Sequence, residues 1–283
     1  MISQAVIYSV LIGIVLTGVV PLIGGIALLA MGKIKGSSFW AGVLAFLIAA
    51  IVSGIGTIIV TIPTAMTPES ASLTAEPPMW QLIAVSLISA VVIGFAMLIL
   101  IRNCMKTRTF KAAASAGLGF AIPQLLTIAF SLVSMYLTFS QINSGAFDQI
   151  YAMSVDMGVI TKEMVAEMKA VYLEFSAMDA IAQVLAAVGT ALLMVAAAII
   201  IMLFVIKKQA MIGTLISIGG IGVASIITSV ITNALVAGVI ALAIGAAAFI
   251  FAYRMKGDIV PPAQPTAAND AFMQSVASAK EEN

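Results

Sequence analysis

AMIGTLISIGGIGVASIITSVITNALVAGVIALAIGAAAFIFAY, residues 210–253, contains no charged side chain. As a single helix it would be roughly 66 Å long at about 1.5 Å per residue. That is twice the roughly 30 Å hydrocarbon core of a bilayer. A polar nick formed by Thr228, Ser229, Thr232 and Asn233 interrupts it. The stretch therefore predicts two membrane spans, Ala210–Val230 and Thr232–Tyr253, joined by a tight hairpin near 231–233.

Moving outward from this pair, five more apolar runs are each long enough to cross a bilayer: Ala5–Met31, Phe39–Ile62, Met79–Ile101, Ala112–Phe139 and Ala177–Ile206. The first has no charged start and is too long for a signal peptide, so it is expected to remain as a span. The chain of 283 residues is 62% apolar and 9% charged. A soluble domain carries about 25% charge and cannot bury so large an apolar fraction in one core. The predicted fold class is all-α, a polytopic transmembrane helical bundle of about seven spans over residues 1–256, followed by a flexible tail, 257–283, that opens with a proline-rich linker. The bilayer is the first partner this implies, and multi-pass residence in the cell membrane the expected location.

Charge distribution tests the span count. Of 13 basic residues, 11 fall after odd-numbered spans: Lys33 and Lys35, then Arg102, Lys106, Arg108 and Lys111, then Lys207 and Lys208, then Arg254, Lys256 and Lys280. The other side holds Lys162 and Lys169, with eight of twelve acids. The positive-inside rule then places the N-terminus outside and the C-terminus in the cytoplasm. An even number of spans would destroy this alternation.

The segment 140–176 is expected outside. Within it, Met164, Val165, Met168, Tyr172 and Phe175 form one helical stripe. Thr161 is a plausible N-cap, with Glu163 facing the helix dipole. This predicts either an interfacial helix that lids a cavity or meets a partner, or the outward start of a long fifth helix.

The residue inventory excludes several chemistries. There is no histidine and one cysteine, Cys104. Ser-His and Cys-His nucleophilic sites are impossible, as are imidazole-ligated zinc and an intrachain disulfide. No P-loop is present, and a net charge of +1 gives no pull toward nucleic acid. Ionisable groups within spans are functional suspects, but only Asp179 qualifies, near the end of span five. Two amides stand out instead, Gln124 in span four and Gln183 in span five, either as interhelical hydrogen-bonding groups or as cavity residues. Pro123 should kink span four. Gly117 and Gly119 allow another backbone close to it. Small residues at Ala234, Ala237, Gly238, Ala241 and Gly245, and at Gly213, Ser217, Gly219, Gly220 and Gly222, suit close packing within the bundle.

Four features carry a family resemblance: a proline-bearing first span followed by Lys33-Ile34-Lys35, a basic loop leading into Gly117-Leu118-Gly119, an exit from span four through Ile142-Asn143-Ser144-Gly145, and the Lys207-Lys208 pair before a small-residue span. Over residues 1–256 the layout resembles the YhfC family of bacterial membrane proteins, predicted intramembrane metallo- or glutamic-type proteases related to the CAAX-processing group. The family motif Gly-Leu-Gly-His-Gly-Gly-Ile-Glu falls on residues 117–124. Its histidine position is Phe120 and its glutamate position Gln124. A second motif, a Glu-Arg pair followed by a histidine, falls on Asp179-Ala180 and Ala187. A third histidine falls near Gly219–Gly220. Water activation needs a base and usually a metal, and the resemblance supplies neither here. It implies a catalytically inactive intramembrane-protease homologue with no catalytic residue, no metal and no cofactor, acting as a scaffold for a membrane protein or hydrophobic peptide. Its vestigial-site or cavity candidates are Gly117, Gly119, Phe120, Pro123, Gln124, Asp179 and Gln183. A permease-type transporter subunit and an active YhfC-type protease are the alternatives.

Overall fold

The computed structural model describes residues 1–65, 77–105 and 107–259. Most of the expected connector 64–78 and nearly all of the tail, with its possible helix at 270–280, lie outside the described residues. Nine helices are present among the described residues: α1 (Gln4–Ala30), α2 (Gly36–Ala65), α3 (Met79–Asn103), α4 (Phe110–Ser144), α5 (Ala146–Asp156), α6 (Lys162–Glu174), α7 (Ala177–Ile206), α8 (Ala210–Val230) and α9 (Ala234–Arg254). Seven of them, all but α5 and α6, are long and apolar enough to cross a membrane. No strand occurs among the described residues.

The hairpin between α8 and α9 falls where the polar nick predicts it. Ile231 is extended, and Asn233 caps α9 by accepting a hydrogen bond from the Val236 amide at 3.1 Å. Satisfying an orphan N–H in this way makes so short a turn tolerable at a membrane boundary.

α7 is the central helix, with 72% of its most apolar stretch buried, whereas α2 at 11% is peripheral. α7 earns this position through small side chains. A Cβ placed at Gly238 would lie 2.5 Å from the Ala182 carbonyl oxygen. Placed at Gly189 it would collide with the Ala241 backbone, and at Gly245 with the Gly189 carbonyl. Backbone thus lies directly on backbone along the α7–α9 seam. In lipid, where apolar burial gives no drive between helices, this van der Waals contact is the main attraction.

The core divides along the bundle axis. One cluster joins α7 to α3, α4 and the start of α2, with Phe120, Met194, Ile199 and Met202 at its centre. The other gathers Val10, Leu132, Phe139, Phe147 and Val165 at the opposite end, beneath α5 and α6. At that end the Asn143 amide accepts from the Ile2 amide at 2.7 Å and donates to the Ile2 carbonyl at 3.1 Å, so the N-terminus is fastened to the end of α4. Gly145, at φ 77°, lets α4 stop and α5 begin without a steric clash.

The stripe on 164–175 forms α6, capped by Thr161 as expected. Val165, Met168, Tyr172 and Phe175 face the second cluster. The reading of this stripe as the start of a long fifth helix is corrected. Phe175 is extended, and Ser176 opens α7 with a capping box. The Asp179 carboxylate accepts from the Ser176 amide at 2.8 Å and hydroxyl at 2.7 Å. Two helices meeting at such a cap are separate elements.

Candidate functional site

Of the residues on which the resemblance lays a hydrolase motif, Gly117, Gly119 and Phe120 sit within packed helix surfaces. α4 is wedged between α2 and α7. A Cβ at Gly117 would meet the Val195 Cα at 2.5 Å, and one at Gly119 would collide with the Phe39 carbonyl. Phe120 is 2% exposed, and its ring meets Phe46 edge-to-face with centroids 5.5 Å apart. This position is filled by the ring. α4 runs as one helix through Pro123, whose carbonyl accepts from the Thr127 hydroxyl at 3.1 Å. The Gln124 amide oxygen is buried without a hydrogen-bond partner. In an apolar setting such an atom costs about 1–3 kcal/mol.

Asp179 is not brought to this position. α4 and α7 run antiparallel, so Gln124, roughly 10 Å along α4, and Asp179, roughly 24 Å along α7, lie on the same side of the Gly117–Val195 contact and about 14 Å apart along the axis, at about 1.5 Å per residue. Asp179 is committed to its capping box. Gln183 is half-buried one helical turn further along.

The structure adds a feature that motif reading missed. α1 contains one π-helical turn, Val15–Val19, closed by a bond from the Val20 amide to the Val15 carbonyl. Pro21 is its local cause: it has no N–H to offer Thr17, so the regular ladder cannot continue across this turn. Thr17, fully buried, returns its hydroxyl to the Gly13 carbonyl at 2.8 Å. Before the π turn α1 buries Val6, Val10 and Gly13, whereas after it only Gly25 is buried. The second half of α1 therefore leaves an open groove of about 260 Å³ against α4 and α7. Gly24, Ala121 and Ala191 give it small walls, and Leu28, Leu125 and Leu192 large ones. Its surface is almost wholly apolar. The signal in the sequence was Pro21.

No group of three or more acid, cysteine or histidine side chains close enough to hold a metal occurs among the described residues. The single cysteine, Cys104, is exposed at the end of α3.

Seven apolar spans around a small-residue core define a multi-pass integral membrane protein. Comparison with protein-family models, curated proteins and solved structures finds no match for this chain.

Proposed function

We propose that the protein is a non-catalytic membrane scaffold, an inactive relative of the YhfC family, that holds an apolar helix of another membrane protein in the groove between α1, α4 and α7. One observation carries the reading: where the family's histidine would stand, the Phe120 ring is packed against Phe46. Replacing an imidazole by a phenyl ring removes a ligand and fills its space, and a glutamine in place of glutamate keeps shape without basicity. The groove supplies what a scaffold needs, a lateral opening with small residues on three helices that lets a partner backbone approach closely.

The groove is tested by placing a photo-crosslinking residue at Leu125, with Ile58 on the exposed face of α2 as control. The expected result is a discrete crosslinked membrane protein from position 125 only, lost when Gly24→Leu closes the groove. Equal crosslinking from both positions would remove the groove from the proposal. Inactivity is tested by incubating purified protein with apolar peptides. Cleavage that Gln124→Ala abolishes would show the chain to be a protease. The orientation proposed from the basic residues, N-terminus outside, is read from two labels. Native Cys104 should react from the cytoplasmic side, and Ala166→Cys in a Cys104→Ser background from outside. The reverse pattern inverts the protein.

A further inference from the structure

The basic end of the bundle holds a second recess, of about 450 Å³, which the scaffold reading does not use. Three helix ends deliver one lysine each to it: Lys33 from the turn after α1, Lys111 from the first turn of α4, and Lys256 from the 3₁₀ turn after α9. Among the described residues, no carboxylate lines it. The nearby Asp258 is turned toward Lys207, at 3.9 Å.

Two of the lysines are held in place. Lys111 donates one hydrogen bond to the Gly32 carbonyl at 2.6 Å, which leaves two N–H protons unused. The Lys256 ammonium lies 5.8 Å from the ring centroids of both Phe110 and Tyr253, a cation–π arrangement that limits its freedom. The N-terminus of the 35-residue α4 opens on the same recess and adds the positive end of its dipole. Ile34 and Ile259 contribute an apolar wall beneath these charges.

We propose that this recess seats the phosphate of an anionic phospholipid, with the first apolar carbons of that lipid against Ile34 and Ile259. The ligand class follows from the combination. Three ammonium groups and a helix N-terminus select a phosphate-type anion. The apolar wall and the place of the recess, at the ends of membrane spans, select a lipid over a soluble anion. Basic pockets between span ends are a recurring seat for anionic headgroups. The volume falls within the roughly 300–1,000 Å³ common for small-molecule sites. The site is independent of the groove, so either can fail alone.

The test uses the full chain, delipidated in neutral detergent, and native mass spectrometry with three probes: phosphatidylglycerol, phosphatidylcholine and inorganic phosphate. Phosphatidylglycerol should bind selectively over phosphatidylcholine, and inorganic phosphate should not displace it. Lys33→Gln/Lys111→Gln/Lys256→Gln should weaken that binding by roughly tenfold or more. Arg102→Gln/Lys207→Gln/Lys208→Gln removes the same charge from the same end and should change it less than about twofold. Because Lys111→Gln also breaks the bond to Gly32, the double variant Lys33→Gln/Lys256→Gln must show a loss in the same direction. Equal losses in both triple variants would reduce the effect to general surface charge and overturn the proposal. Displacement by inorganic phosphate would make the ligand a free anion, and no loss in any variant would empty the site. Each of these overturns it.

Discussion

The seam between α7 and α9 and the cap formed by α5 and α6 are both well packed, yet they are built from opposite materials. The seam uses Gly189, Gly238, Gly245, Ala182 and Ala241, with no large side chain between the two backbones at those contacts. The cap uses rings. Phe139 lies 6.2 Å from Tyr172 and 5.7 Å from Phe175, and Phe147 lies 5.0 Å from Tyr151, centroid to centroid. The difference follows from the solvent each region displaces. Lipid tails are as apolar as leucine, so a seam inside the membrane gains only from close atomic contact. At the aqueous boundary, burying rings removes apolar area from water, at about 25 cal/mol per Å². One chain therefore switches packing rules where its spans end.

The largest expected effect breaks the seam. Gly245→Leu drives a side chain into the Gly189 backbone, which cannot move aside as a flexible side chain would. Overpacking commonly costs about 1–3 kcal/mol, and a backbone collision exceeds that range. The purified variant should aggregate or melt at a lower temperature than the parent protein. Gly54 on α2 is the control, since a Cβ there meets nothing within 4 Å. Gly54→Ala should be neutral or stabilise by roughly 0.5–1 kcal/mol. Equal damage at both positions would mean that the seam is not special.

Second in size is Phe147→Ala. The ring is 1% exposed at the centre of the cap, and its removal should cost about 3 kcal/mol. The loss should stay local. Trypsin should cut faster after Lys162 and Lys169, while hydrogen exchange along α7 and α9 is unchanged. Phe130→Ala, at a ring 70% exposed on the outer surface of α4, should do neither. Loss of the whole fold on Phe147→Ala would show the cap and seam to be one cooperative unit.

The seam was the more legible of the two. Its α9 half, Gly238, Ala241 and Gly245, recurs at helical spacing on an apolar span, whereas Ala182 and Gly189 on α7 and the pairing of the two helices come from the structure. The need for a hairpin between α8 and α9 followed from length, which forbids one helix, but only the polar nick at Thr228-Ser229 and Thr232-Asn233 marked its place. The end of α6 was harder. The stripe continues to Phe175, and Ala177 starts the next apolar run almost at once, so periodicity sees no break. The break lies in Ser176 and Asp179, a capping pair three residues apart. Asp179 drew attention instead as an ionisable group near a span, which hid its local role. The groove was not legible, because it depends on how two halves of α1 diverge, and Pro21 marks that only indirectly. The basic recess was half-legible: the lysines announce one end of the bundle, but their convergence comes from three chain ends far apart in sequence.

Ser176→Ala sharpens the boundary between the two regions at smaller cost. It removes the hydroxyl that accepts from the Asp179 amide at 3.3 Å and donates to its carboxylate at 2.7 Å. Loss of such a cap costs about 1 kcal/mol. The expected signature is fraying of the first turn of α7, read as faster exchange of the amides at 177–180. No change there would mean that packing of Ala180 against the cap holds the turn by itself.

The smallest effect separates the regions by pH. The seam contacts involve no titratable side chain, so mild acid should leave them untouched. At the start of α6, Glu163 has a carboxyl held below its ordinary value of 4.5, chiefly by a hydrogen bond from its own backbone amide and then by the Thr161 side chain, with Lys162 adding a weaker attraction against slight desolvation. A folded-state pKa below the unfolded one means that the ionised form favours the folded cap. Its contribution is present in full above the ordinary value, and is lost as pH falls below 4.5 and through the lowered value. The group is exposed, so the effect is small and screened by salt. Hydrogen exchange at residues 162–166 should rise between pH 5.5 and pH 3.5 once corrected for the intrinsic rate. The contribution of Glu163 is the part of that rise that Glu163→Gln abolishes. A rise of the same size in the variant would leave Glu163 without influence on the fold.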